Sequence, residues 1–310
     1  MLLIFWSCSI AATAYGAEPV TVVTGTWGKE PGQFFFTPFG QGGYLKTTDT
    51  GDDFPHDFGV DKQGKIYIND DMNRRIQVFS SSGKLLKTMN APQETGGQLG
   101  WPDSIYVDPS GACMASFEAS QKYFFNVSGE LVKKVDVVGA ASPATEGYFV
   151  EVTMTHFELY STSGEMIKVY TRKPLELGMV KTSSLGKNDY LITVTYPDKA
   201  YDLSSDRKFV RYVRDAKGVL YGVNARSAWR FNPCGKRAAM VMIPPDQKTT
   251  ITGTGGVTEV KVDVEYGEPV VSPKGDIYTW KRTPQNYFIV TWPWEDDPRA
   301  SEEFCTDKKK

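Results

Sequence analysis

Histidine and cysteine are scarce in this chain: its 310 residues hold two of the first and four of the second. His56 and His156 stand apart, with no HExxH, HxH or paired CxxC beside them, so neither a zinc site nor another resident cofactor is expected. Without the N-terminal leader, Cys113, Cys234 and Cys305 remain, and an odd number admits at most one bridge within the chain. Whether Cys234 pairs with Cys305 is left open by the spacing. No GxSxG elbow presents a nucleophilic serine, and Gly253-Thr-Gly-Gly256 does not open a helix as a phosphate loop must, so no catalytic residue is assigned. Charge of one sign is lacking as well. Thirty-five Lys and Arg face 37 Asp and Glu, the net charge is -2 and the pI about 5.9, so no overall field draws the chain to nucleic acid or anionic lipid. Missing, finally, are periodic Ala-, Leu- and Glu-rich stretches of helical length, and past the N-terminus no apolar run is long enough to span a bilayer.

What the chain does have is glycine, proline and aromatics: 29 Gly, 18 Pro and 13% Phe, Trp and Tyr, a composition that suits many short strands and tight turns. Residues 54–89 show this most clearly. Strand candidates at 57–60, 65–69, 75–79 and 84–89 are separated by Asp61-Lys-Gln-Gly64, Asp70-Asp-Met-Asn73 and Ser80-Ser-Ser-Gly83, turns too short for anything but antiparallel hairpins.

The hairpin recurs. Gly64 and Gly83 stand 19 residues apart, Gly111 and Gly129 18, Gly218 and Gly235 17. Four residues before the second glycine of each pair stand Phe79, Phe125 and Phe231, and Tyr160 bears the same relation to Gly164. An aromatic there is expected to pack between adjacent sheets. Asp61, Asp108 and Asp215 open the first turns, with Ser272 as a variant. The repeat divides the chain at about 54–89, 101–135, 147–170, 177–203, 208–243 and 266–292, the border between the fourth and fifth units being open. The fold class expected is therefore all-β: a six-bladed β-propeller of four-stranded antiparallel blades. The last unit is one strand short, because Glu295-Asp-Asp-Pro298 is poor strand material, and Val20-Thr-Val-Val23 is expected to complete it and close the ring.

The first seventeen residues, MLLIFWSCSIAATAYGA, form an apolar run ending in small residues and read as a secretory signal cleaved after Ala14, Gly16 or Ala17, although no basic residue precedes the run. A membrane anchor is the competing reading, and the run is short of the roughly 20 residues a spanning helix needs. The expectation is a secreted or periplasmic monomer with no membrane span after cleavage. Its one domain covers residues 18–298 and is followed by a charged tail at 299–310.

With GVDKQGKIYINDDMNRRIQVFSSSGKLL, the first unit resembles an NHL repeat: a strand ending in Asp, a Gly turn, an apolar strand, Asn and Arg before Ile-Gln-Val-Phe, then a second Gly turn. The second unit keeps the turns and the aromatic but has no Asn-x-Arg, and later units keep less. The resemblance implies a six-bladed propeller over nearly the whole mature chain. It implies little about activity, since relatives of this fold include protein- and RNA-binding modules, scaffolds and a few lyases.

Candidate site residues follow from the strand order. His56 and Asp57 precede the innermost strand of the first unit and align with Asp103 through Pro55 and Pro102. Arg74 and Arg75 occupy the second turn; Trp101, Asp103 and Glu118 hold corresponding places in the second unit, and Glu268, Lys281 and Arg282 in the last. All ten are expected on one loop face around the channel mouth, polar caps on exposed loops being the alternative. For Asp70, Asn73 and Arg75, turn capping and packing suffice; His156 reads as a packed strand residue. Asp49, Asp52, Asp53 and Glu295 to Asp297 offer hard oxygens to calcium without the spacing of a dedicated loop. The aromatic, glycine-rich segment 25–46 is either a flap over the channel or a seal between the first and last units. The function that emerges is noncatalytic binding or scaffolding, with a protein, peptide or glycan docked on the loop face. The alternative is a metal-assisted lyase, lactonase or hydrolase using Asp57, Asp103 and Glu268, with His56 as acid or base.

Overall fold

Asp61 builds a chain reversal from its own side chain. Its Oδ1 accepts the N–H groups of Gln63 at 2.9 Å and Lys65 at 2.8 Å, and Gly64 then takes a φ of 86° that a side chain would strain. Asp215 repeats the arrangement on Lys217 and Val219, and the Ser272 hydroxyl does so for Lys274 and Asp276. The computed structural model describes residues 18–36, 54–92, 105–118, 121–136, 140–143, 148–152, 156–161, 163–171, 179–186, 189–195, 211–215, 217–224, 226–232, 237–252 and 258–296. These residues hold strands, one 3-10 turn at Asp71–Asn73 and no α-helix.

β1 (Val20–Thr26) comes first in the chain. The first sheet follows: β2 (Phe58–Val60), β3 (Ile66–Asp70), β4 (Arg75–Phe79) and β5 (Leu85–Asn90). The second is β6 (Ile105–Val107), β7 (Cys113–Glu118), β8 (Gln121–Phe125) and β9 (Leu131–Asp136); the third is β10 (Ala140–Pro143), β11 (Tyr148–Val152), β12 (His156–Ser161) and β13 (Met166–Thr171). β14 (Met179–Gly186) pairs with β15 (Asp189–Thr195), and β16 (Arg211–Arg214), β17 (Leu220–Asn224), β18 (Ser227–Phe231) and β19 (Arg237–Met242) make up the fifth sheet. The last contains β20 (Gln247–Thr252), β21 (Thr258–Tyr266), β22 (Val270–Val271), β23 (Ile277–Arg282) and β24 (Asn286–Trp292), while β25 (Glu295–Asp296) turns back onto β19. The protein is all-β, and its antiparallel four-stranded sheets are consistent with a β-propeller. β1 lies antiparallel to β24, from Val20 opposite Thr291 to Thr26 opposite Asn286.

Three details differ from the sequence reading. The third sheet begins at Ala140 rather than near 147, because β10 joins by backbone register, Ala140 opposite Val152, although its small residues and Pro143 are poor strand material. Residues 244–265, which the repeat assigns to no blade, include the β20–β21 hairpin, whose second strand runs on beside β23 with Glu265 opposite Arg282. Glu295 and Asp296 pair with Met240 and Ala239 on the edge of the fifth sheet, where the ladder is backbone and demands nothing of the side chains.

Sheets pack through shared apolar clusters. Val60, Ile66, Ile68 and Phe79 of the first meet Val23, Trp280, Tyr287 and Ile289 of the last. On its other side the first sheet meets the second, Tyr67, Ile76 and Val78 against Cys113, Ala115, Tyr123 and Phe125. Met114 and Phe124 carry the second onto Tyr160 of the third, and Val223 and Val241 of the fifth meet Ile277 and Val290 of the last. The repeated aromatics Phe79, Phe125, Tyr160 and Phe231 are all buried.

A polar latch joins successive sheets at the end carrying the Asp61 turn, called here the turn face. The Tyr67 hydroxyl donates to Asp61 Oδ2 at 3.2 Å and lies against Gly111 of the next sheet, where an added Cβ would come within 2.6 Å of it. Tyr221, Asp215 and Gly275 repeat the trio, the hydroxyl donating at 3.0 Å. Burial first, then the carboxylate, pushes the Tyr67 phenol far above its usual range. Cys113 is buried in the same core, which pushes its thiol up to about 12; Cys234 and Cys305 lie outside the described residues.

Candidate functional site

At the opposite, loop face the β3–β4 reversal and the entry to β2 come together, since Phe58 opposes Ile68 and Asp70 opposes Arg75. The chain leaving β1 lies across this end. Phe34 is buried between Phe79 of the first sheet and Tyr287 of the last, with ring centroids 6.0 and 4.7 Å away. Four side chains of the first sheet hold the backbone on either side of it. Asn73 donates to the Gly28 carbonyl at 3.1 Å, and Arg75 donates to the carbonyls of Lys29, Glu30 and Gln33. Gln77 accepts from Gly32 N–H at 2.7 Å and donates to the Gln33 carbonyl, and Asp70 Oδ1 accepts Phe35 N–H at 3.0 Å. The carbonyls of Gly28, Lys29, Glu30 and Gln33 thereby gain side-chain partners, beside the backbone bonds that Phe34 makes with Gly28 and Thr26. For residues 25–36 the segment is a seal between the first and last sheets; residues 37–46 lie outside the described residues.

Asp70 anchors the seal. Its carboxylate takes Arg75 Nε at 2.7 Å and Asn73 Nδ2 at 2.9 Å while fully buried. Burial lifts its pKa above the ordinary carboxylate value, against the hydrogen bonds of Phe35 and Asn73 and the charge of Arg75. The Asn-x-Arg-x-Gln run of the first unit thus has a structural employment: it grips the incoming chain.

Beyond the seal lies an aromatic patch around one guanidinium. Trp27 donates its indole N–H to the Pro284 carbonyl at 3.0 Å and stacks on Phe36 at 4.7 Å. Arg282 sits over Phe54 at 4.3 Å and near Phe36 at 5.9 Å, its Nε fixed by Glu265 at 2.6 Å. The exposed His56 ring lies 4.0 Å from Phe54 and 6.0 Å from Trp280, with Phe54 edge-on to Trp280 at 5.0 Å. Trp27 and Phe36 are half-buried, so His56, Trp27 and Phe36 present the patch to solvent while Phe54, Trp280 and Arg282 support it.

The expected site residues separate into groups on this frame. His56 and Arg282 belong to the patch. Asp57, half-buried, accepts Asn69 N–H at its carbonyl beside them. Arg75 is committed to Asp70 and three carbonyls, a correction to its placement on an open binding face, because its guanidinium is buried and occupied. Arg74 adopts a left-handed φ of 52° and reaches the Pro92 carbonyl at 2.7 Å and the Tyr123 hydroxyl at 3.4 Å, tying the first sheet to the second. Lys281 lies over Tyr266 and Phe288, among residues packed toward the fifth sheet and not on the His56 side of the strand. Glu268 is exposed ahead of β22 and Glu118 ends β7; Trp101 and Asp103 lie outside the described residues. The sequence reading missed Trp27, Phe36, Phe54, Trp280 and Glu265; the aromatic content of segment 25–46 signalled the first two, and nothing local signalled the other three. His156 begins β12 opposite Thr171. Among the described residues no three His, Cys, Asp or Glu side chains gather as a metal cluster, and Asp49, Asp52, Asp53 and Asp297 lie outside them. No helix among them is long and apolar enough to cross a membrane.

No protein-family model matches the chain, and neither does any curated protein. Among solved structures, a virginiamycin B lyase from Staphylococcus aureus is similar over 77% of this chain and 95% of its own, at TM-score 0.43 and 11% identity. A streptogramin B lyase is similar over 82% and 96%, at 0.42 and 12%. The C-terminal WD40 domain of Sif2 is similar over 77% and 82%, at 0.38 and 10%. At these scores the likeness assigns neither a lyase nor a WD40 role to the chain.

Proposed function

We propose that the chain is an exported, monomeric, six-bladed propeller of NHL type, closed by β1, that works as a noncatalytic binding or scaffolding protein docking a protein, peptide or glycan on its loop face. The observation that carries the binding role is the patch of Trp27, Phe36 and His56 around Arg282: aromatic rings left partly in solvent, with a guanidinium fixed beneath by Glu265. Rings of this kind offer flat apolar area at small entropic cost, and a fixed charge beside them orients a polar ligand. Closure is supported by the β1–β24 ladder and by the packing of the last sheet against the first. Export rests on the leader-like run at residues 1–17.

Two measurements test the proposal. Mass spectrometry of protein recovered from outside the cytoplasm should find the chain beginning between Tyr15 and Glu18; an intact Met1 on cytosolic protein would remove the export reading. Glycan and peptide arrays probed with parent and Trp27→Ala protein should show hits that the variant loses. A stoichiometric metal in the purified protein would move the conclusion to the metal-assisted enzyme instead.

A further inference from the structure

The patch around Arg282 is built as a row. Trp27 stacks on Phe36 at 4.7 Å, Phe36 stands 5.9 Å from the Arg282 guanidinium, Arg282 lies 4.3 Å over Phe54, and Phe54 lies 4.0 Å from His56. The cation inside the row is flanked by two phenyl rings and held by Glu265. Trp27 and Phe36 at one end and His56 at the other reach solvent. Such a row serves several side chains of an extended peptide, which return to one face at every second residue, better than it serves one small ion.

Its border is acidic. β21 pairs with β23 only at Glu265 and Tyr266, while the residues before them pair with β20, so this hairpin runs on past the loop-face end of the last sheet. Glu265 meets Arg282, and Asp263, two residues earlier in the strand, belongs to the same face. An added Cβ at Gly267 would lie 2.1 Å from Trp280 Nε1, so the chain rests on the ring that His56 meets edge-on, and the exposed Glu268 comes next. Asp57 enters from the first sheet beside His56. Burial first, then the charges of Asp57 and Asp70, raises the Tyr287 phenol well above its usual range, which puts the Asp57 carboxylate near the junction of the two sheets.

Among the described side chains, four carboxylates, Asp57, Asp263, Glu265 and Glu268, thus stand around the one guanidinium of Arg282. Other charges at this end do not reverse the balance. Arg75 pairs with Asp70 and Arg226 with Asp246, while Lys29 and Glu30 are neighbours of opposite sign in the seal. Arg74 reaches to Tyr123 of the second sheet, and Lys281 lies over Tyr266 and Phe288. Farther along the hairpin, Lys261 and Glu259 stand in register with Thr249 and Ile251, one charge of each sign, and Lys248 is in register with Val262 at an alternate position.

We infer that the patch recognises a basic peptide, an extended segment whose lysine or arginine stems lie along Trp27, Phe36 and His56 while their charged heads face Asp57, Asp263 and Glu268. Both side chains join an apolar stem to a cationic head, the combination that rings bordered by carboxylates select. An acidic peptide or acidic sugar meets like charge there, and a neutral sugar gains nothing from the charge. The inference rests on the patch being the binding site proposed above, and the two can fail separately.

The test selects random decapeptides displayed on phage against the full chain at low salt. Recovered sequences should be enriched about threefold in Lys and Arg and depleted in Asp and Glu. A recovered peptide, made synthetically, should bind about tenfold more weakly to the double variant Asp263→Asn, Glu268→Gln, and the difference should close at about 0.5 M salt. Glu130→Gln with Glu165→Gln, which removes two charges at the turn face, should leave binding unchanged. Matching melting curves verify that both variants fold. Acidic peptides, peptides without charge preference, or binders indifferent to the Asp263 and Glu268 changes yet lost in Trp27→Ala would overturn the basic class and keep the patch as a site. Glycans bound at Trp27 with no peptide recovered would do the same. If no binder is recovered, or none is lost in Trp27→Ala, the patch itself fails as a site and this inference falls with it.

Discussion

Arg75 donates its Nε–H to Asp70 Oδ2 at 2.7 Å inside the seal between the first and last sheets, and both side chains are shut off from solvent. The pair is only half of what the guanidinium does, because its remaining N–H groups hold three carbonyls of the chain leaving β1. Arg75→Ala would strand a buried carboxylate and free that chain at once. The expected loss is about 3–5 kcal/mol, read from denaturant unfolding, with faster proteolysis within residues 28–35. A variant as stable as the parent would show that Phe34, Asn73, Gln77 and Asp70 hold the segment without the guanidinium.

Asp70 also predicts a pH dependence. Burial raises its carboxyl above the ordinary 3.8, so the folded chain holds this proton more tightly than the unfolded one. Stability contributed by the group is then greatest in acid and declines as pH rises through the window above 3.8. Asp70→Asn removes the titration, so the stability of parent minus variant should shrink as pH climbs from about 3 to about 7. A difference that widens with pH would reverse the assignment.

The latch between sheets gives a coupled pair. Tyr67→Phe loses the hydrogen bond to Asp61 and should cost about 1 kcal/mol. Gly111→Ala puts a Cβ at a φ of 98° and against the Tyr67 hydroxyl, and should cost about 1–3 kcal/mol. In the double variant the second cost should fall, since the clash partner is gone. Strict additivity in calorimetry would mean that the two sites do not touch.

β1 pairs with β24 along its length and buries Val23. Deleting residues 19–25 exposes that edge and should lower stability by several kcal/mol. A deletion variant that melts with the parent would refute the closing role of this strand.

On the loop face, His56→Ala, Asp57→Ala and Asp103→Ala should weaken binding of any ligand found by array, with melting shifts of only a few degrees. Exposure of His56 is the reason to expect little structural cost. Should binding survive these changes yet vanish on substitution at Lys62, Gln63 or the serines Ser80 to Ser82 of the turn face, the working face has been assigned to the wrong end.

Local physics made most of the strands legible. β4 coincides with the expected 75–79, β2 starts one residue later, and β3 and β5 are shifted by one residue at both ends, since Asp61, Gly64, Ser80 and Gly83 each fix a turn through their own neighbours. The pairing of Val20 to Val23 with the last sheet was legible too, because an unpaired β-branched run in a chain of hairpins needs a partner. What escaped notice lacks a local signature. β10 has small residues and ends in Ser142-Pro143, which reads as loop instead of strand, and Arg75 reads as a turn residue until carbonyls more than forty positions away are brought to it. The patch was half visible: His56 and Arg282 were singled out, and Trp27 and Phe36 fell within a segment read as flap or seal, but nothing in the sequence brings Phe54 and Trp280 to them.

The β1–β24 ladder has a mechanical consequence. Val20, where β1 begins, lies opposite Thr291, next to Trp292 where β24 ends, so the two strand termini leave the sheet at the same end. Force applied between the chain's two ends would first peel β25 from β19 and then open the β1–β24 ladder as a zipper, one pair at a time, because the load falls on a single rung at each moment. Joined this way, the protein would yield to a pull at low force even where it resists heat, and the first sheet released would be the one that holds Trp280 and Arg282 beneath His56.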